Sequence, residues 1–133
     1  MKAQVLYFNH YTEVDPDYWR WPNFTPKEIA CRGTGKLLVN EDSLDKLQEL
    51  RAEIGLPFHV NSGYRSPEYN KKVGGAPNSF HMQGMAFDIS LSNLNRDTMF
   101  KKAEDYGFNG IGQYNSFIHI DTRDYRARWD KRT

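Results

Sequence analysis

Ser79-Phe80-His81-Met82-Gln83-Gly84-Met85-Ala86-Phe87-Asp88 sets an imidazole and a carboxylate seven positions apart, with the small residues Gly84 and Ala86 between them. Small residues at those points let a turn feed a tightly packed strand. From Met85 to Ser90 the alternation puts Ala86 and Asp88 on one face and Met85, Phe87 and Ile89 on the other. Imidazole with carboxylate is a donor set that suits zinc, which takes three protein ligands plus water in catalytic sites. A third ligand is therefore needed, and the only later histidine is His119, in Phe117-Ile118-His119-Ile120-Asp121. Alternation there places Phe117, His119 and Asp121 on one strand face and the isoleucines on the other. His81, Asp88 and His119 form the expected metal set for one Zn2+, with the fourth position left for water.

The pattern Ser79-x-His81-x-x-Gly84-x-Ala86-x-Asp88 followed by a downstream histidine resembles the signature of the zinc D-Ala-D-Ala carboxypeptidase family. That family also includes D,D-dipeptidases, phage L-alanyl-D-glutamate endolysins and, more distantly, the Hedgehog signalling domain. Asn61-Ser62-Gly63-Tyr64-Arg65-Ser66-Pro67, Val73-Gly74-Gly75-Ala76-Pro77-Asn78-Ser79 and His119-Ile120-Asp121 extend the likeness to a bacterial and phage branch, from about Phe24 to Arg123. The resemblance implies a zinc peptidase acting on peptidoglycan peptides, with Arg65 beside the metal to stabilise an oxyanion and bind substrate, and Ser79 contacting substrate. A structural ion pair for Arg65 and a capping role for Ser79 stand beside those readings. Relatives commonly carry an acidic residue three positions before the last histidine, or a second histidine two before it. This chain has Ser116 and Phe117 there. Asp121 is the substitute: either the general base, or the acceptor of a ligand histidine's ring N–H that fixes its tautomer. The missing acid also supports an alternative, a non-catalytic zinc-containing module that binds peptidoglycan or a protein, associated with a phage tail.

With 133 residues the chain fits a single domain, 1–133. Its 38% hydrophobic and 26% charged content reads as an ordinary globular protein, and a net charge of +1 gives no reason to expect nucleic acid. One cysteine, Cys31, excludes an intramolecular disulfide and reads as a small buried residue. Nothing in the first ten residues makes a convincing signal peptide and no stretch approaches a membrane span, so synthesis in the cytoplasm, a monomeric state and action on the wall after release, phage- or prophage-encoded, are the expectations.

Residues 1–23 hold many aromatics but no sustained period and read as an irregular arm, its Trp19 and Trp21 anchoring in the core or lining a groove. Thr25-Pro26-Lys27-Glu28 predicts a capping box with proline in the first turn, and Phe24 with Ile29 a hydrophobic staple. Asp42 or Ser43 is the expected cap of a longer helix striped by Leu44, Leu47, Leu50 and Ile54 and closed by Gly55. A strand from Pro57 to Ser62, a short helix capped by Ser66, a third helix capped by Asn95, and a hairpin turning at Asn115-Ser116 complete the pattern. His10, Asp15 and His59 read as solvated side chains, and residues 124–133 as a basic solvated tail. The fold class that follows is α+β, a small antiparallel sheet with helices packed on it.

Overall fold

The computed structural model describes residues 4–133; the first three, part of the stretch weighed as a leader, lie outside the described residues. Two sheets organise it. Strand β1 (Val5–Phe8) pairs antiparallel with β2 (Leu37–Asn40), and a five-stranded sheet runs in the order β3-β4-β6-β5-β7. Its strands are β3 (Val60–Ser62), β4 (Ala86–Ser90), β5 (Gly110–Gln113), β6 (Phe117–Asp121) and β7 (Ala127–Asp130). All its pairs are antiparallel except β5 with β7, which makes the sheet mixed. The α+β class expected from the sequence is the observed one.

The helices follow their caps. Helix α1 (Pro26–Ile29) opens on the full capping box, Thr25 accepting from the Glu28 N–H and Glu28 accepting from the Thr25 N–H. Helix α2 (Glu41–Ile54) is capped by Asn40, not by Asp42 or Ser43, because β2 runs straight into it and leaves no loop between them. Its Leu44, Leu47 and Leu50 are fully buried, and Gly55 closes it in the left-handed conformation at φ 75°. Helix α3 (Pro67–Lys72) is capped by Ser66, and α4 (Arg96–Asp105) by Asn95. The leucine stripe of α2, with Met99 and Ala103 of α4, joins the apolar sheet face of Phe87, Ile89, Ile111, Ile118 and Ile120 in one core.

Two segments differ from the sequence reading. Residues 5–8 are a strand rather than irregular chain, and the arm is tied down by Glu41, which accepts from Gln4 N–H at 2.9 Å and from the Tyr18 hydroxyl at 2.7 Å. Trp21 is buried and donates to Asp45 at 2.7 Å, so it anchors the arm in the core. Residues 127–130 are β7 rather than a solvated tail: the strand adds in parallel to β5, and Arg128 pairs with Glu104 of α4 at 3.0 Å. The sheet face opposite the helices is left for the polar residues.

Candidate metal centre

Register alone brings most of the site together. Asp88 of β4 is the direct cross-strand partner of His119 of β6, which faces Gly112 of β5, which in turn faces Trp129 of β7. The next row holds Ala86, Asp121, Gly110 and Ala127. His81 arrives from outside the sheet, on a 3-10 turn (Phe80–Gln83) capped by Ser79, whose hydroxyl accepts from the His81 N–H at 3.2 Å. Gly84 closes that turn at φ 69°, with the Leu38 carbonyl oxygen 3.0 Å from where a Cβ would stand. A side chain there would be strained twice over, so glycine is what lets the chain swing from the turn into β4.

His81, Asp88 and His119 each offer a ligand atom, all within 4.8 Å of one another, the one such group among the described residues. Asp88 Oδ1 lies 3.2 Å from His81 Nε2 and 2.9 Å from His119 Nδ1. Zinc–nitrogen bonds of about 2.0–2.1 Å at the tetrahedral angle need donor–donor edges of roughly 3.3 Å, so this spacing fits that ion. The tautomers fit too. His81 Nδ1 lies 2.7 Å from the Gly63 carbonyl, which only accepts, so Nδ1 carries the proton and Nε2 is the coordinating nitrogen. His119 Nε2 lies 2.7 Å from Asp121 Oδ2, which fixes its proton there and turns Nδ1 to the cluster. Three electron-pair donors thus crowd one buried point, an arrangement that a cation stabilises.

The charges respond to that crowding. Burial would raise the Asp88 carboxyl, but hydrogen bonds and charge from His119 and His81 hold it well below the usual carboxylate range. Burial would likewise push the His119 imidazolium down, yet hydrogen bonds to Asp121 and Asp88, and their charges, raise it. Asp121 is fully buried; burial favours its neutral form, and Arg123 with His119 overcomes that and keeps it ionised.

His81, Asp88 and His119 line a cleft of about 910 Å³, a size that accommodates a short peptide. The chain matches the sequence pattern described as Peptidase M15 over residues 22–121, most of its length. It belongs to the Peptidase M15 family. It is 36% identical over 87 residues to the zinc D-Ala-D-Ala carboxypeptidase of Streptomyces albus G, covering 61% of this chain and 34% of that protein. It is 32% identical over 93 residues to the peptidoglycan L,D-endopeptidase MepK of Escherichia coli, covering 63% and 51%. A probable peptidoglycan L,D-endopeptidase MepK of Haemophilus influenzae is 31% identical over 99 residues, covering 67% and 53%. The chain therefore spans about a third to a half of the length of these relatives.

In this M15 chain Arg65 lines the cleft with its guanidinium fixed three ways: Nε donates to Ser62 Oγ at 3.2 Å, Nη1 to Asn70 Oδ1 at 3.0 Å, and Nη2 lies 3.5 Å from Asp88 Oδ2. Ser79 both caps the His81 turn and lines the cleft. Asp121 does not line it; both its oxygens accept from Arg123, and one also from His119. Ser116 is exposed, and Asp88 is the one carboxylate among the described residues lining the cleft.

The sequence reading missed Arg123 and Trp129. Arg123 grips Asp121 with Nε at 2.8 Å and Nη2 at 2.7 Å while its guanidinium lies 4.4 Å from the Phe80 ring centre. Trp129 lies over Gly112 with its ring 5.0 Å from that of His119, its N–H donated to Tyr114 at 2.9 Å. The signal was Gly110-x-Gly112: a Cβ at Gly110 would meet the Asp121 carboxylate and one at Gly112 the Trp129 indole. Missing side chains on the ligand face mark where neighbours need the space.

Proposed function

We propose that this chain is a zinc-dependent peptidase that hydrolyses amide bonds in peptidoglycan peptides, with His81, Asp88 and His119 as ligands of one Zn2+. The observation that carries the reading is the convergence of two tautomer-fixed imidazoles and a carboxylate on one point in a peptide-sized cleft. When bound, zinc polarises a carbonyl and makes water nucleophilic near neutral pH. The chain's own residues do the rest. Arg65 supplies fixed N–H donors to the charge that develops on the carbonyl oxygen. Ser79 contacts substrate while holding the His81 turn. Asp121 holds the His119 proton on Nε2, and its burial and four hydrogen bonds support that role over that of general base.

The activities for which the relatives are named support the substrate class, either a D-Ala-D-Ala carboxypeptidase or an L,D-endopeptidase type of cut. A monomer acting on the cell wall in an endolysin-like, phage- or prophage-borne setting belongs to the same proposal; secretion from uninfected, intact cells would count against the setting. The test is incubation of the zinc-loaded protein with muropeptides, reading new amine ends by mass spectrometry. Cleavage that disappears in Asp88→Asn and His119→Ala, together with one zinc per chain by metal analysis, is the expected result. Asp88 being the sole carboxylate lining the cleft among the described residues favours the second reading, a non-catalytic zinc-containing peptidoglycan- or protein-binding module. Undiminished binding without new amine ends would establish it.

A further inference from the structure

The cleft has an unequal balance of charge. Among the described residues Arg65, Arg123 and Lys131 line it against the single carboxylate of Asp88, three cations to one anion. Two of the three are committed to the metal centre, Arg65 beside Asp88 at 3.5 Å and Arg123 on Asp121 at 2.7 Å. Lys131 is exposed at the rim, and its ammonium makes no ion pair among the described residues. Its backbone is nevertheless held: its N–H donates to the Gln113 carbonyl at 2.7 Å and continues the β5–β7 ladder one residue beyond β7. An ordered backbone carrying an uncommitted charge into a cleft is an arrangement for recognising an anion.

Register gives the distance at which it acts. Trp129 stands over Gly112, the cross-strand neighbour of the ligand His119. Strand alternation puts Lys131 on the same face as Trp129, its Cα roughly 6.6 Å further along at about 3.3 Å per residue. Trp129 itself lies two strands, about 9.6 Å, across from His119, so Lys131 stands about 12 Å from the ligand position. An extended peptide in the cleft advances by the same step per residue. The Trp129 ring, pinned by its bond to Tyr114, supplies the apolar wall between the two points. Both residues lie beyond the stretch matched to the M15 family, residues 22–121.

We propose that Lys131 is a carboxylate-reading subsite, pairing with a free carboxylate of the bound peptide about three to four residues from the amide lying over His119. The proposal rests on the cleft being the peptide-binding site described above and names which peptides it prefers: those with the carboxylate free rather than amidated. Stem peptides of the L-Ala-γ-D-Glu-L-Lys-D-Ala-D-Ala type offer two such groups, the α-carboxylate of the γ-linked glutamate and the chain terminus.

The experiment titrates the full, zinc-loaded chain calorimetrically with that pentapeptide and with versions amidated at one or the other carboxylate, and follows hydrolysis of the same peptides for KM and kcat. One amidation is expected to weaken binding about three- to tenfold, as befits a part-exposed ion pair. In Lys131→Met that preference shrinks to less than twofold, and in Lys131→Glu it reverses. Lys101→Met, which removes an equal charge on α4, keeps the preference. Equal affinity for acid and amides in the unaltered protein, a preference that survives Lys131→Met, or no binding of any of the peptides overturns the proposal. Cleavage without a Lys131-dependent preference sinks the subsite and leaves the hydrolase; the preference without cleavage does the reverse.

Discussion

Replacing Asp121 by asparagine changes one oxygen into an NH2 group and nothing else in size. Asp121 accepts four hydrogen bonds: Oδ1 from Arg123 N at 3.1 Å and Nε at 2.8 Å, Oδ2 from Arg123 Nη2 at 2.7 Å and His119 Nε2 at 2.7 Å. Arginine cannot accept, so an NH2 at the Oδ1 position would face two donors. At the Oδ2 position it also faces two, Arg123 Nη2 and His119 Nε2, but only the arginine conflict is fixed, because His119 can resolve its own by moving its proton to Nδ1. The second orientation is therefore favoured. It protonates the nitrogen that stands 2.9 Å from Asp88 and removes it from coordination. Loss of such a ring-orienting partner costs about 10–100-fold in metal affinity, which is about 1.4–2.7 kcal/mol. The metal-free fold loses in addition a hydrogen bond to a charged group, about 1.5–3 kcal/mol. Zinc affinity is read by competition with a chromophoric chelator, and the His119 tautomer from its nitrogen chemical shifts. A zinc Kd within twofold of the unaltered protein, with Nδ1 still bare, would refute the reasoning.

Zinc must displace the proton that Asp121 and Asp88 help His119 retain, so apparent affinity should fall about tenfold per pH unit below the raised His119 value and level off above it. In the metal-free protein the imidazolium's contribution to stability is full below the ordinary histidine value of about 6.5 and is lost as pH rises through the raised folded value. Asp88 and Asp121 act in the opposite sense: their depressed values give stability that is full above about 3.9 and lost as pH falls through the folded values. Urea midpoints of the chelated protein that stay flat on both sides of neutrality would contradict this. Gly112→Ala sets a methyl where the Trp129 indole lies and should cost about 1–3 kcal/mol while shifting tryptophan emission to the red; unchanged emission would mean that the indole is held elsewhere. Leu47→Ala, at a fully buried position of α2, should cost about 2–5 kcal/mol by chemical denaturation, and a loss below one would show the helix packed more loosely than described.

The metal trio was legible because its residues obey local rules. Alternation assigns Asp88 and His119 to one face, and the glycine at 84 marks the turn that returns His81 to them. The α1 cap and the hairpin at Asn115-Ser116 were legible for the same reason. Strands β1 and β2 were not, since four residues are too few to show a period and their pairing joins Val5 to Asn40 across the intervening chain. Strand β7 was hidden by its charge: Arg128 and Asp130 suggest solvent, but the parallel ladder to β5 and the pocket over Gly112 hold the segment. The role of Asp121 depended on which way its carboxylate turned, and that is set by Arg123, two residues on, through contacts that no spacing rule encodes.

Asp88 meets His119 on one rung of the β4–β6 ladder, and Ala86 meets Asp121 on another. Sliding either strand by a single residue would turn its coordinating side chain into the aliphatic interior and dismantle the chelate. An ion gripped there consequently acts as a clasp that closes only on a correctly zipped seam, and its availability biases the folding ensemble toward that alignment.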